Sequence, residues 1–168
     1  MARSFSSVKV VIIDDNKNMR ALIRTMLEAF GVTRIHEAND GEEGLKMMAE
    51  VQPDFVLTDY SMKPVDGVTF AKTIRKLNSP LAWVPIIMVT GHTERRYVEQ
   101  ARDAGVSETL CKPVTARDLY VRIVEVIDRP RRFVRAPSFA GPDRRPHRKA
   151  DYDGPKRRRD DSLDVQFT

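Results

Sequence analysis

The sequence predicts an α/β fold: a doubly wound five-stranded parallel sheet with helices on both faces, followed by a mostly irregular C-terminal tail. Three observations carry this. Five short apolar, β-rich runs alternate with five helical runs across residues 6–128, the pattern of a parallel sheet with crossover helices. The strand runs end in polar residues: Asp14-Asp15, Asp59, Thr90 and Lys112. Composition then changes near Asp128-Arg129-Pro130, where a basic, proline-rich segment begins.

The elements follow in order. Residues 8–13 form a β-branched apolar run, as expected of a strand buried on both faces. Residues 17–30 place Met19, Leu22, Ile23, Met26 and Leu27 on one helical face, and Gly31 ends the helix. Residues 35–38 are a second, weaker strand. Asp40 can cap a helix running through Glu50, with Glu43 as its capping-box partner. Residues 55–58 form the third strand, and residues 68–77 the third helix, with Phe70, Ile74 and Leu77 inward. Residues 85–90 are the fourth strand, and residues 93–104 a helix closed by Gly105. A short fifth strand spans 109–111. Thr115 caps the last helix, whose apolar stripe is Leu119, Ile123, Val126 and Ile127.

Charge divides the chain in two. Residues 1–128 hold 17 Lys and Arg against 18 Asp and Glu, netting −1, while residues 129–168 hold 12 against 6, netting +6. The longest apolar run, Val10 to Ile13, is far too short to span a bilayer, and residues 1–4 lack the apolar stretch of a signal peptide. The single cysteine, Cys111, allows no intramolecular disulfide. We read the chain as soluble and cytoplasmic, with no membrane partner.

Ligands of such sheets sit at the carboxyl ends of the strands. Asp14, Asp15, Asp59, Thr90 and Lys112 all fall there. Three clustered carboxylates repel one another unless a cation lies among them, and a few hard oxygen ligands suit Mg²⁺. A carboxylate beside that metal can act as a nucleophile and form an acyl phosphate, with the lysine and the metal neutralising charge on the phosphoryl group. Taken singly, each residue has an ordinary alternative: a helix-entry cap for Asp14-Asp15, a structural cap for Thr90, a solvated charge for Lys112. Their joint placement favours chemistry. Lys112-Pro113 can hold a cis bond, or open the last helix in the usual trans form.

Val-Ile-Ile-Asp14-Asp15, Leu-Thr-Asp59-Tyr-Ser-Met, Asp66-Gly67, Met-Val-Thr90-Gly and Lys112-Pro113 together resemble the CheY-like receiver family, over about residues 6–128. The resemblance implies a flavodoxin-like (βα)5 receiver and phosphotransfer from a histidine kinase or phosphotransfer protein. It implies Asp59 as phosphoryl acceptor and Thr90 and Lys112 as phosphoryl contacts. It further implies Asp15, Asp59 and the Ser61 carbonyl as direct Mg²⁺ ligands, with Asp14 a ligand through water. Two positions depart from the family pattern. Thr109 stands where a rotating Tyr or Phe is usual, and Pro64 falls one position late after the acceptor.

The tail, residues 129–168, holds five of the ten prolines and too few large apolar groups for a helix-turn-helix core. Gly141-Pro142-Asp143-Arg144-Arg145 recurs thirteen residues later as Gly154-Pro155-Lys156-Arg157-Arg158, and Phe133-Val134-Arg135 lies upstream. Arginine forks pair with phosphates and guanine edges, and Gly-Pro turns can present them. These units resemble the arginine-rich extension of alphaproteobacterial CheY-like cyclic-di-GMP effectors, which implies nucleotide contacts from Arg135, Arg144, Arg145, Arg157 and Arg158. The alternatives are a solvated, disordered basic tail and one that holds nucleic acid without sequence preference.

The expected function is a single-domain response regulator of a two-component system, phosphorylated on Asp59. It would act through protein contacts rather than as an enzyme, with the flagellar motor switch as the first partner to test. A phosphate sink or relay intermediate, and a receiver tethered to nucleic acid, are the alternatives.

Overall fold

A computed structural model describes residues 4–145. The elements run β1 (Lys9–Ile13), α1 (Lys17–Ala29), β2 (Arg34–Ala38), α2 (Gly41–Val51), β3 (Phe55–Asp59), α3 (Gly67–Arg75), β4 (Ile86–Thr90), α4 (Arg95–Asp103), β5 (Glu108–Cys111) and α5 (Ala116–Asp128). All five strands are parallel, in the order β2-β1-β3-β4-β5. This is the doubly wound sheet that the sequence predicts.

The continuous apolar strands are explained by burial on both sides. Val10, Ile12, Phe55, Leu57, Ile87, Val89 and Leu110 face α1 and α5, meeting Ile23, Leu27, Leu119, Ile123 and Val126. Val11, Ile13, Val56, Ile86 and Met88 face the opposite layer, meeting Met48, Phe70, Ile74 and Ala101. Successive residues of one strand thus serve two cores, as the two-residue period of a strand requires.

The expected caps form: Asp40 and Thr115 accept hydrogen bonds from the backbone N–H groups of Glu43 and Asp118. Asp66, not read as a cap from the sequence, accepts from the Thr69 N–H in the same way. Glu43 Oε2 accepts from the Asn39 N–H at 2.7 Å, so the reciprocal contact reaches one residue before the cap. Gly31 and Gly105 follow their helices with φ of +92° and +93°.

Two features lay outside the sequence reading. A short 3-10 turn, Pro80–Trp83, precedes β4. The tail also departs from the irregular course expected of it. Phe133–Ala136 (β6) and Phe139–Pro142 (β7) pair antiparallel, Phe133 opposite Pro142 and Ala136 opposite Phe139. The hairpin seats on the segments that precede β4 and β5. The Phe133 ring lies 6.2 Å from Trp83 and 5.4 Å from the Arg75 guanidinium. A Cβ on Gly141 would stand 2.7 Å from Gly105 Cα, so this seat requires glycine. The segment's own apolar area is small, and docking onto the receiver supplies the burial that composition alone did not suggest.

Arg75, only 2% exposed, organises that base. It donates to the carbonyls of Gly105, Ala82 and Val84 at 2.9, 2.8 and 2.7 Å. Burial pulls its pKa down to about 9, so the guanidinium stays charged at neutral pH.

Candidate functional site

The carboxyl ends of the strands gather the acidic residues on one rim. Asp14 and Asp15 follow β1, Asp59 closes β3, Thr90 closes β4, and Lys112 follows β5. In-register pairing of β1 with β3 and of β4 with β5 brings these ends level. One carboxylate oxygen from each of Asp14, Asp15 and Asp59 lies within 4.8 Å of the others. Asp59 is 6% exposed and its Oδ1 stands 3.0 Å from Lys112 Nζ.

Asp14 is the most confined of the three, at 2% exposure. Its Oδ1 accepts from the Asn16 N–H at 2.8 Å, and its carbonyl from Arg20 at 2.7 Å. Its Oδ2 is buried and has no hydrogen-bond partner among the described residues. Burial raises the Asp14 pKa to about 6; the Asn16 N–H and Lys112 oppose that shift, and the charges of Asp59 and Asp15 reinforce it. An orphaned buried carboxylate oxygen beside two further carboxylates suits a small divalent cation. Asp14, Asp15 and Asp59 therefore fit Mg²⁺, and Ser61 lies in the turn two residues past Asp59.

The surrounding loops hold this rim in place. A Cβ on Gly67 would stand 2.2 Å from the Asp59 carbonyl, so only glycine lets α3 start this close to β3. The Gly67 N–H donates to the Tyr60 carbonyl at 3.0 Å. The Thr90 hydroxyl accepts from the His92 N–H at 2.9 Å, and the Lys112 N–H donates to the Thr90 carbonyl at 2.9 Å. Both Lys112-Pro113 and Lys63-Pro64 are cis.

An aromatic group beside the rim was not singled out in the sequence. Tyr97 on α4 stacks on His92 at 4.1 Å and meets Tyr60 edge-on at 5.4 Å. Tyr60 also bonds Gln100 on α4 through its hydroxyl. Tyr60 directly follows Asp59, and His92 comes two residues after Thr90. That adjacency was the available signal, but the convergence of all three rings needs α4 in place. Thr109 lies half-buried on β5, opposite Met88.

Arg135, Arg144 and Arg145 stand apart from this rim, at the amino ends of the strands. Arg135 donates to the carbonyls of Arg75 and Leu77 at 3.5 and 3.4 Å. Arg144 pairs with Asp103 and lies 4.2 Å over the Phe139 ring. Arg145 pairs with Asp143 at 2.7 Å. Arg157 and Arg158 lie outside the described residues.

Known proteins share this arrangement. Residues 10–124 match the response regulator receiver domain. The chain is 32% identical over 123 residues to chemotaxis protein CheY-3 of Vibrio cholerae, covering 73% of this chain and 94% of that protein. It is 33% identical over 122 residues to chemotaxis protein CheY of Pseudomonas aeruginosa, covering 73% and 98%. Among solved structures, Vibrio cholerae CheY4 superposes with a TM-score of 0.67 at 26% identity, covering 71% of this chain and 98% of its own. A two-component response regulator from Clostridium difficile gives 0.66 at 25% identity, covering 73% and 97%. Receiver domains bind Mg²⁺ at an acidic pocket of this composition. With its parallel sheet, its acidic rim and a match across most of its length, this chain belongs to the response regulator receiver domain family.

Proposed function

We propose that Asp59 accepts a phosphoryl group from a histidine kinase or phosphotransfer protein, and that the basic tail binds cyclic-di-GMP. One observation carries the first part: Asp59 is nearly buried, 3.0 Å from Lys112 Nζ, and grouped with Asp14 and Asp15. In the transfer, an Asp59 carboxylate oxygen forms the new P–O bond while the P–N bond to the donor imidazole breaks, and the imidazole keeps the electron pair. Lys112 pairs with charge on the phosphoryl oxygens, and the Thr90 hydroxyl can donate to one of them. Asp15, Asp59 and the Ser61 carbonyl would hold Mg²⁺ directly and Asp14 through water, and the ion would supply neutralisation of phosphoryl charge. Arg20 and the Asn16 N–H hold the Asp14 segment against β1.

The output is protein contact. Similarity to chemotaxis proteins makes the flagellar motor switch the first partner to test. A small acyl phosphate with Mg²⁺ labels the wild type and leaves Asp59→Asn unlabelled; equal labelling of both removes Asp59 as the acceptor.

The nucleotide reading rests on the repeated Gly-Pro-x-Arg-Arg unit, with Arg135 upstream. Paired forks from Arg144, Arg145, Arg157 and Arg158 match a ligand with two guanines and two phosphates. Calorimetric titration of the full chain with cyclic-di-GMP tests it. Lysine at either arginine pair weakens binding about a hundredfold, since an ammonium lacks the planar fork. Equal binding by wild type and lysine variants instead describes a simple charged tail.

A further inference from the structure

We infer that the first Gly-Pro-x-Arg-Arg unit is held in the free protein by the chain's own carboxylates, so that hairpin docking and anion binding by Arg144 and Arg145 compete. The inference rests on the nucleotide reading of the tail and adds its regulation.

Both arginines of this unit are engaged. The Arg144 guanidinium donates to Asp103, the last residue of α4, and stacks over Phe139. Arg145 Nε donates to both oxygens of Asp143 at 2.9 Å. A carboxylate presents a guanidinium with the same planar pair of acceptors that a phosphate does. Asp103 and Asp143 thus occupy donors that an anionic nucleotide would need.

The engaged state is also a particular geometry. Gly141 of the same unit abuts Gly105, with no room for a Cβ on either residue. Phe133 rests against Trp83 and Arg75, and Arg135 reaches back to two carbonyls at the end of α3. A ligand that takes the Arg144 guanidinium therefore removes the Arg144–Asp103 contact that ties the hairpin to α4. Beneath that hold lies a cavity of about 140 Å³, lined by Val98, Arg102 and Thr109 on the receiver side and by Pro142 and Arg144 on the tail side. Release of the hairpin uncovers this edge of α4 and β5. A ligand that prefers the released tail then exposes a receiver surface far from the acceptor rim, and by linkage anything that loosens docking tightens the ligand by up to the same factor.

The chain supplies its own reporter. Trp83 is the sole tryptophan and is in contact with the hairpin through Phe133. Full-length wild type, Asp103→Asn and Phe133→Ala are titrated with cyclic-di-GMP by calorimetry, with Trp83 emission followed in parallel. Asp103→Asn is expected to bind roughly two- to fivefold more tightly, the range that half-exposed ion pairs carry. Phe133→Ala is expected to bind about tenfold more tightly, having lost the ring contacts of the docked state. Saturating ligand is expected to shift the wild-type Trp83 emission. Circular dichroism and urea unfolding of each variant check that the receiver stays folded, so that tightening reads release of the hairpin rather than loss of the fold. Equal affinities in all three proteins, or unchanged Trp83 emission at saturation, overturn the competition while nucleotide binding stands. No saturable binding by any of the three overturns the nucleotide reading and the competition with it.

Discussion

The two ends of the sheet treat their aspartates in opposite ways. At the carboxyl ends, Asp14 is buried beside two further carboxylates with one oxygen unpartnered, and its pKa is raised to about 6. At the amino ends, Asp143 is also partly buried, which by itself raises its pKa. The hydrogen bonds and charge of Arg145, with the charge of Arg132, outweigh that and hold it below the ordinary carboxylate value. One end gathers three carboxylates around a single lysine; the other pairs Asp143 with an arginine of its own segment. The contrast separates a rim shaped for an external cation from a base that closes on itself.

The largest expected effect tests whether the two ends are independent. Arg75→Met leaves the carbonyls of Ala82, Val84 and Gly105 without their donor. Stability to urea is expected to fall by at least about 3 kcal/mol, given the strength of hydrogen bonds to charged groups. Acyl-phosphate labelling of the remaining folded protein is expected to persist, because Arg75 lies at the opposite end of α3 from Gly67, which abuts Asp59. Loss of labelling in folded Arg75→Met would join the two ends into one unit.

Next comes the strain at the rim. Asp14 has a folded pKa near 6 against an ordinary value of 3.8. For an acid raised in this way, the penalty is fully present above pH 6 and is relieved as pH falls toward 3.8. Without Mg²⁺, the wild type is expected to gain stability on acidification across that window. Asp14→Asn is expected to be more stable than wild type at pH 7 by about 1–3 kcal/mol, and to lose the stabilisation that Mg²⁺ gives wild type. Urea unfolding at pH 7 and pH 5, with and without Mg²⁺, reads both. A less stable Asp14→Asn would show that Asp14 is not strained.

A smaller effect concerns the ring group on α4. Tyr97→Ala removes contacts with His92 and Tyr60 and is expected to lower stability by about 1 kcal/mol. Because the His92 N–H bonds the Thr90 hydroxyl, the response of α4 amides to a phosphoryl mimic is expected to shrink as well. An unchanged NMR response would show that coupling does not run through these rings.

The smallest effect lies at Asp143 and has the opposite sign from Asp14. Its depressed pKa contributes stability above its ordinary titration range, and this is lost as pH falls through the folded value. Hydrogen exchange of the hairpin amides is therefore expected to speed up on acidification relative to the intrinsic rate, with Asp143→Asn insensitive. Equal pH dependence in both proteins would remove Arg145–Asp143 as a support of the docked state.

The sequence by itself determined the alternation of strands and helices, the caps at Asp40 and Thr115, and the polar strand ends. These depend on local pattern: side-chain period, capping chemistry and runs of apolar residues. Asp14, Asp59, Thr90 and Lys112 were legible because a parallel sheet sends every strand's carboxyl end to one rim. Tertiary structure alone decided the rest. Nothing in the local pattern marks Arg75 for burial, which becomes tolerable through the carbonyls of Ala82 and Val84 in the turn before β4 and of Gly105 thirty residues on. Tyr60, His92 and Tyr97 meet only once α4 is docked. Residues 133–142 read as irregular because composition measures what a segment can bury within itself, whereas this hairpin depends on Trp83, Arg75 and Gly105, which lie 28 or more positions away in the sequence.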